Sequence, residues 1–415
     1  MFYYYEKDGL QLCSLNPNLP FLKSKYPKSG DAPTVFLFER DPQNCRAAFS
    51  VNHPGQILAE EEDIRFLDAS RMPQGTVDPF LSEQISKGHL RAVNFRHPRW
   101  PQLLSPREIP AKKRINLLAI GDVGSTLLIG LCLLGRDQIS SIGICDISEK
   151  VTARWAMEMN QISLPWNYDA FPPVEVISPD QLFDCDLFAF IASKGIPPVG
   201  SGVKDVRMAQ FEANSAIVSH YAKLAREKHY QGLWAAISDP VDPLAKTAFL
   251  ASNQNEHGEF DGLGLFPQQV QGYGLGVMNA RAAYYAKRDP RFTDFLSEGR
   301  SFGPHGSDLV IANSISHYND TLSKELTQLT VTANLKMREI GYKPYVAPAI
   351  SSGALSLLLT LEGKWHCGSV YLGGAFMGVK NRYTSTGLET EVLPKIPDLL
   401  FDRIENASKN LHSLI

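Results

Sequence analysis

The chain has 415 residues, and its 41 lysines and arginines against 44 acidic residues leave a net charge of −3. That length supports two or three domains, each burying its own core, while the near balance of charge excludes a global field that would gather nucleic acid or an anionic membrane surface. Six cysteines without a CxxC pair argue against a disulfide framework and fit reduced, mostly buried thiols of a cytoplasmic protein.

The opening Met1-Phe2-Tyr3-Tyr4 lacks the layout of a signal peptide, and the longest apolar run, 127–134, is too short to cross a bilayer. Residues 1–110 are read as a small α+β domain of unassigned role, with strands at 2–6, 10–15, 34–39 and 47–51 set apart by Pro, Gly and Asn turns. Its acidic run Glu60-Glu61-Glu62-Asp63 reads as a solvated face. His89 and His97 read as ordinary surface or core residues, and the ten histidines form no HExxH or Cys/His cluster, so no metal centre is expected. A linker is placed near 100–112.

From Arg114 the texture changes. Apolar strands at 115–120, 142–145, 175–177, 187–192 and 232–237 alternate with amphipathic helices, which predicts a doubly wound parallel α/β sheet over 111–265. Beyond 265 the pattern is mixed, with helices at 279–287 and 321–340, a strand at 369–377 and a terminal helix at 396–411. Residues 266–415 are read as an α+β substrate domain.

The first of these strands runs into Gly121-Asp122-Val123-Gly124 and then a helix, the setting in which backbone N–H groups at a helix N-terminus meet a pyrophosphate. Ala119 stands at the usual first glycine. Asp146 ends the next strand 22 residues after Gly124, where a carboxylate accepts from the ribose hydroxyls of NAD and disfavours the 2′-phosphate of NADP.

Further motifs follow in order. They are Ala156-Met157-Glu158-Met159-Asn160, Arg207 with Asn214 seven residues on, Ser238-Asp239-Pro240-Val241-Asp242, and Arg281 with His305 24 residues later in Gly303-Pro304-His305-Gly306. On these residues the chain from Arg114 onward resembles the lactate and malate dehydrogenase family. The resemblance implies a Rossmann-type sheet followed by an α+β substrate domain, with the N-terminal α+β domain as an addition. It also implies NAD as cofactor, a small-molecule substrate and a homo-oligomer. By the same resemblance, His305 is the proton donor to a carbonyl, Arg281 clamps the substrate carboxylate, and Arg207 polarises the carbonyl from a closing loop. Asn214 and Ser351 border the substrate, Ser351 standing where relatives carry a threonine.

Three departures mark the site. Met278 replaces the aspartate that pairs with the catalytic histidine in the family, and loss of an orienting carboxylate lowers turnover by about 10⁴ in comparable histidine sites. Asp239 replaces an asparagine. The loop 192–207 is longer than in relatives, with Ile196 where malate-using relatives carry arginine and with Lys194 and Lys204 as its other cations. The gain of Asp239 beside the loss at Met278 predicts that Asp239 takes over the acid's role, within reach of His305 or Arg281. Three functions stay open: an NAD-dependent 2-hydroxy acid dehydrogenase with an altered site, a dehydrogenase for an amino or imino acid, and a catalytically decayed NAD-binding protein with a regulatory or scaffold role. The N-terminal domain is expected to pack on the dehydrogenase-like part or to alter its assembly.

Overall fold

Asp8 and Gly9 both hold positive φ, at 51° and 80°, the pairing that closes a two-residue hairpin. They join β1 (Tyr3–Lys7) to β2 (Leu10–Ser14) in antiparallel register. The computed structural model describes residues 1–24, 33–105, 110–194, 206–306 and 308–415, with the backbone alone at 206–209. The first sheet is completed by β3 (Leu22–Ser24), β4 (Thr34–Phe38), β5 (Ala48–Ser50) and β6 (Leu90–Asn94), in the order β3-β1-β2-β4-β6-β5. β3 and β6 are additions to the expected strands. β6 is buried throughout and lies parallel to β4.

The second sheet begins with six parallel strands: β7 (Lys113–Leu118), β8 (Ile139–Cys145), β9 (Val174–Val176), β10 (Leu187–Phe190), β11 (Leu233–Ala236) and β12 (Val270–Gly272). Near-continuous apolar runs such as Leu187–Phe190 are buried on both faces, as parallel strands require. Helices Asp122–Leu134, Glu149–Met159, Val206–Glu227 and Val241–Ser252 fall between strands of this sheet in the chain.

A ribbon of β13 (Arg300–Phe302) and β14 (Val310–Ala312) follows. Then β15 (His366–Leu372), β16 (Ala375–Thr384) and β17 (Gly387–Thr390) continue the second sheet in antiparallel pairing, giving the order β17-β16-β15-β12-β11-β10-β7-β8-β9. The single strand expected at 369–377 is thus a hairpin. Gly373 and Gly374, at φ 58° and 94°, make its turn, a conformation that L side chains rarely adopt. The helices beyond residue 265 include Leu275–Ala286, Asp320–Glu339 and Asp398–Leu414.

The two sheets share a buried cluster, in which Phe36, Phe49 and Phe66 pack with Phe302, Val370, Met377 and Ile404. The acidic run is solvated at Glu60 and Glu61, as expected, but not at Glu62. Glu62 pairs with Arg46 at 2.9 Å with both side chains fully buried, and Asp63 caps the short helix Ile64–Leu67. Among the described residues, no helix is long and apolar enough to cross a membrane.

Candidate active site

Parallel strands send their loops to one end of the sheet, and the order reverses between β7 and β10, the place where such sheets open a binding crevice. Gly121 caps the helix Asp122–Leu134 there. A Cβ on Gly124 would collide with the Ala119 carbonyl, so helix and strand pack this closely only around glycine. A Cβ on Gly121, in contrast, would meet nothing within 4 Å. The turn therefore offers open backbone at a helix N-terminus. Ala119 holds φ 77°, the left-handed conformation a first glycine adopts without strain.

Asp146 accepts from the Ile120 N–H at 2.8 Å and the Ser148 N–H at 3.0 Å. It ties the glycine turn to the end of β8, and each oxygen keeps a further lone pair for a ligand. Val123 packs against the core beneath. Asp122 lies 3.1 Å from Lys343 Nζ, an exposed pair that offsets its negative charge at the helix start. Open turn, carboxylate and neutralised helix start fit a dinucleotide.

The loop between β13 and β14 carries His305. Gly303, at φ 86°, donates its N–H to the Gly378 carbonyl at 3.0 Å and hangs the loop on β16. The His305 N–H donates to Asp242 Oδ2 at 3.2 Å. The imidazole lies on Gly274, where a Cβ would come within 2.7 Å of His305 Cβ and 2.9 Å of Nδ1. Asp239 Oδ1 stands 3.6 Å from His305 Nδ1, an ion-pair separation longer than a hydrogen bond. Burial pushes the carboxyl of Asp242 up to about 6, with the like charge of Asp239 adding and the His305 N–H opposing.

Arg281, on the helix Leu275–Ala286, donates to Met278 Sδ at 3.6 Å. Burial lowers its pKa, and Tyr285 and Asp239 oppose that. Met278 therefore gives the arginine an apolar, weakly accepting neighbour. Ser351 lies in a π-helical stretch, Pro348–Leu355, and its carbonyl accepts from Ser356 Oγ at 2.8 Å.

Asn214, expected to border the substrate, lies behind Asp239. It is 0 % exposed, its Oδ1 accepts from the Lys194 N–H at 2.9 Å, and its Nδ2 donates to Ser193 Oγ at 3.2 Å and the Asp239 carbonyl at 2.8 Å. A buried amide so engaged braces the loop behind Asp239. Arg207 falls in the first turn of Val206–Glu227, and its side chain, like all of Ile196 and Lys204, lies outside the described residues. Two positioning residues escaped the sequence reading, Gly274 and Ser352, and Asp242, read there only as the end of a motif, is a third. Ser352 Oγ accepts from the Val277 N–H at 2.8 Å and donates to the Gly274 carbonyl at 2.7 Å. Among the described residues, no three His, Cys, Asp or Glu side chains gather as a metal site.

This architecture has counterparts among solved structures. A lactate dehydrogenase from a Medee basin deep-sea metagenome library superposes with a TM-score of 0.59 at 16% identity, covering 73% of this chain and 98% of that one. The fold is that of lactate and malate dehydrogenases. The minor L-lactate dehydrogenase of Enterococcus mundtii gives 0.58 at 17% identity over 74% of this chain and 98% of its own. The malate dehydrogenase of Aeropyrum pernix gives 0.59 at 17% over 72% and 96%. No protein-family model matches the sequence, and no curated protein does. The dehydrogenase fold places the Gly121 turn and the Asp239–His305 pair at the same end of one sheet.

Proposed function

We propose that the chain is an NAD-dependent oxidoreductase that interconverts a 2-hydroxy acid and a 2-oxo acid at an altered site. The observation that carries this reading is the 3.6 Å approach of Asp239 to His305, at the end of the sheet that also holds the open glycine turn. NAD, when bound, supplies or accepts the hydride. Gly121, Asp122, Val123 and Gly124 would bring backbone N–H groups to its pyrophosphate, and Asp146 would accept from its ribose. His305 gives a proton to the carbonyl oxygen in reduction and removes it in oxidation. Asp239 supplies the charge that favours the imidazolium, in place of the acid missing at Met278. Arg281 holds the substrate carboxylate through two N–H groups, and Arg207 would polarise the carbonyl. Ser351 borders the substrate side chain.

A second reading rests on charge. Among the described residues, Asp239 and Asp242 place two carboxylates around His305, with the guanidinium of Arg281 near Asp239, a balance that suits a substrate carrying a positive group, such as an imino acid. The protein would work in the cytoplasm, where its six free thiols stay reduced. Exposed Met157, Leu164 and Trp166, on and after the helix Glu149–Met159, would be covered in a homo-oligomer.

NADH titration tests the proposal. Cofactor fluorescence is expected to rise saturably with protein and then fall when a pool of 2-oxo acids is added with or without ammonium. Consumption that requires ammonium selects the imino-acid reading. Binding without consumption favours the decayed, regulatory alternative, and no enhancement at millimolar NADH contradicts the proposal outright.

A further inference from the structure

A cavity of about 1050 Å³ lies at the end of the second sheet remote from His305, bounded by the start of β7 at Lys113, the start of β11 at Leu233 and the β16–β17 hairpin. Ser50 of β5 and Arg91 of β6 close it from the first sheet. Clefts at such junctions are frequent ligand sites, and this volume matches the upper end of their usual range of about 300–1,000 Å³.

The charges in its wall are unevenly met. Glu389 is held by Arg382 at 2.8 Å and by Asn52 Nδ2 at 3.1 Å. Glu362 is held by Lys364 at 2.7 Å and Gln138 Nε2 at 2.9 Å, and Asp186 accepts from the Arg114 N–H at 3.0 Å. Of the four cations in the wall, Arg382 pairs with Glu389 and Lys87 with Glu83 at 2.8 Å, whereas Arg91 and Lys113 are met by neutral carbonyl oxygens. Arg91 donates to Leu103 at 2.7 Å and Thr386 at 2.6 Å, and Lys113 donates to Ala111 at 3.3 Å and Leu361 at 3.4 Å. Arg91 is only 8% exposed, and burial lowers its pKa to about 10, which leaves it cationic at neutral pH. A buried charge with neutral acceptors alone is costly until an anion meets it.

We infer that this cavity binds a small organic anion, its carboxylate or phosphate group set against Arg91 and Lys113 and its apolar part against Leu103, Phe266 and Leu361. Because the wall comes from both sheets, such a ligand fastens the first sheet to the second. The site is separate from the proposed dehydrogenase chemistry, and its test needs no NADH turnover.

Calorimetric titration of the full chain with citrate, glycerol 3-phosphate and neutral glycerol decides it. Saturable binding is expected for citrate if carboxylates are the preferred group and for glycerol 3-phosphate if phosphate is, with none for glycerol. Loss of one charge-assisted contact should weaken it about tenfold or more in both Arg91→Gln and Lys113→Met, with the NADH fluorescence response unchanged. Lys113 is only half-buried, so its variant keeps the test decisive if Arg91→Gln fails to fold. Failure of both anions to saturate, or an unchanged affinity in Lys113→Met, overturns the inference.

Discussion

Two carboxylates bracket His305, Asp239 from the side of the ring at 3.6 Å and Asp242 through the backbone N–H at 3.2 Å. A carboxylate at Asp239 and none at Met278 are legible in sequence, because both positions lie in or beside motifs that the sequence reading singles out. The environment of Asp242 is not, since its burial comes from folding and not from its neighbours in the chain. Its carboxyl titrates near 6 in the folded protein against an ordinary value of 3.8. The folded state therefore holds the proton more tightly than the unfolded state. Stability from this group is fully present below about pH 4 and is lost as pH rises to about 6, a change on the order of 3 kcal/mol. Asp242→Asn should gain on the wild type across that interval and hold a constant difference above it. Thermal melts at several pH values check this, and parallel curves for the two proteins would contradict it.

At the scale of elements, the site depends on how the helix Leu275–Ala286 begins. Gly274 leaves the space that the imidazole fills, and Ser352, from the π-helical stretch, pins the Gly274 carbonyl and the Val277 N–H. Neither residue carries a sequence signal, because each acts on a partner distant in the chain. Gly274→Ala is expected to displace His305 and lower kcat by about 10²-fold, the effect of a misplacement near 1 Å, while leaving NADH affinity at its wild-type value. Steady-state kinetics with a fluorescence titration separates the two, and an unchanged kcat would remove Gly274 from the positioning set. The β15–β16 hairpin eluded the sequence for another reason. Its strands are apolar on both faces across the turn, so Gly373-Gly374 lies within what reads as one run and no change of period marks the bend.

For the whole molecule, the composition shift near Arg114 located the start of the parallel sheet, and β7 begins at Lys113. What sequence texture could not convey is that the first sheet, besides a cluster of its own around Tyr5, Val35 and Val93, contributes one face to a core shared with the rest, since buried clusters form between residues far apart in the chain. Phe49 and Phe66 share a cluster with Met377 and Ile404, and the Leu67 carbonyl accepts from the Leu393 N–H at 2.8 Å. Deleting residues 1–105 would strip that cluster to solvent. The truncated chain should aggregate or melt far below the full protein, and sedimentation should record a changed assembly. Unaltered stability and oligomer size would make the first sheet a separate appendage.

The central claim, that His305 performs proton transfer beside a bound dinucleotide, is tested most directly by His305→Asn, assayed for turnover of whichever substrate consumes NADH and for NADH binding in the same preparation. Turnover should fall by about 10³-fold with cofactor affinity unchanged. Turnover that survives the substitution would contradict the account.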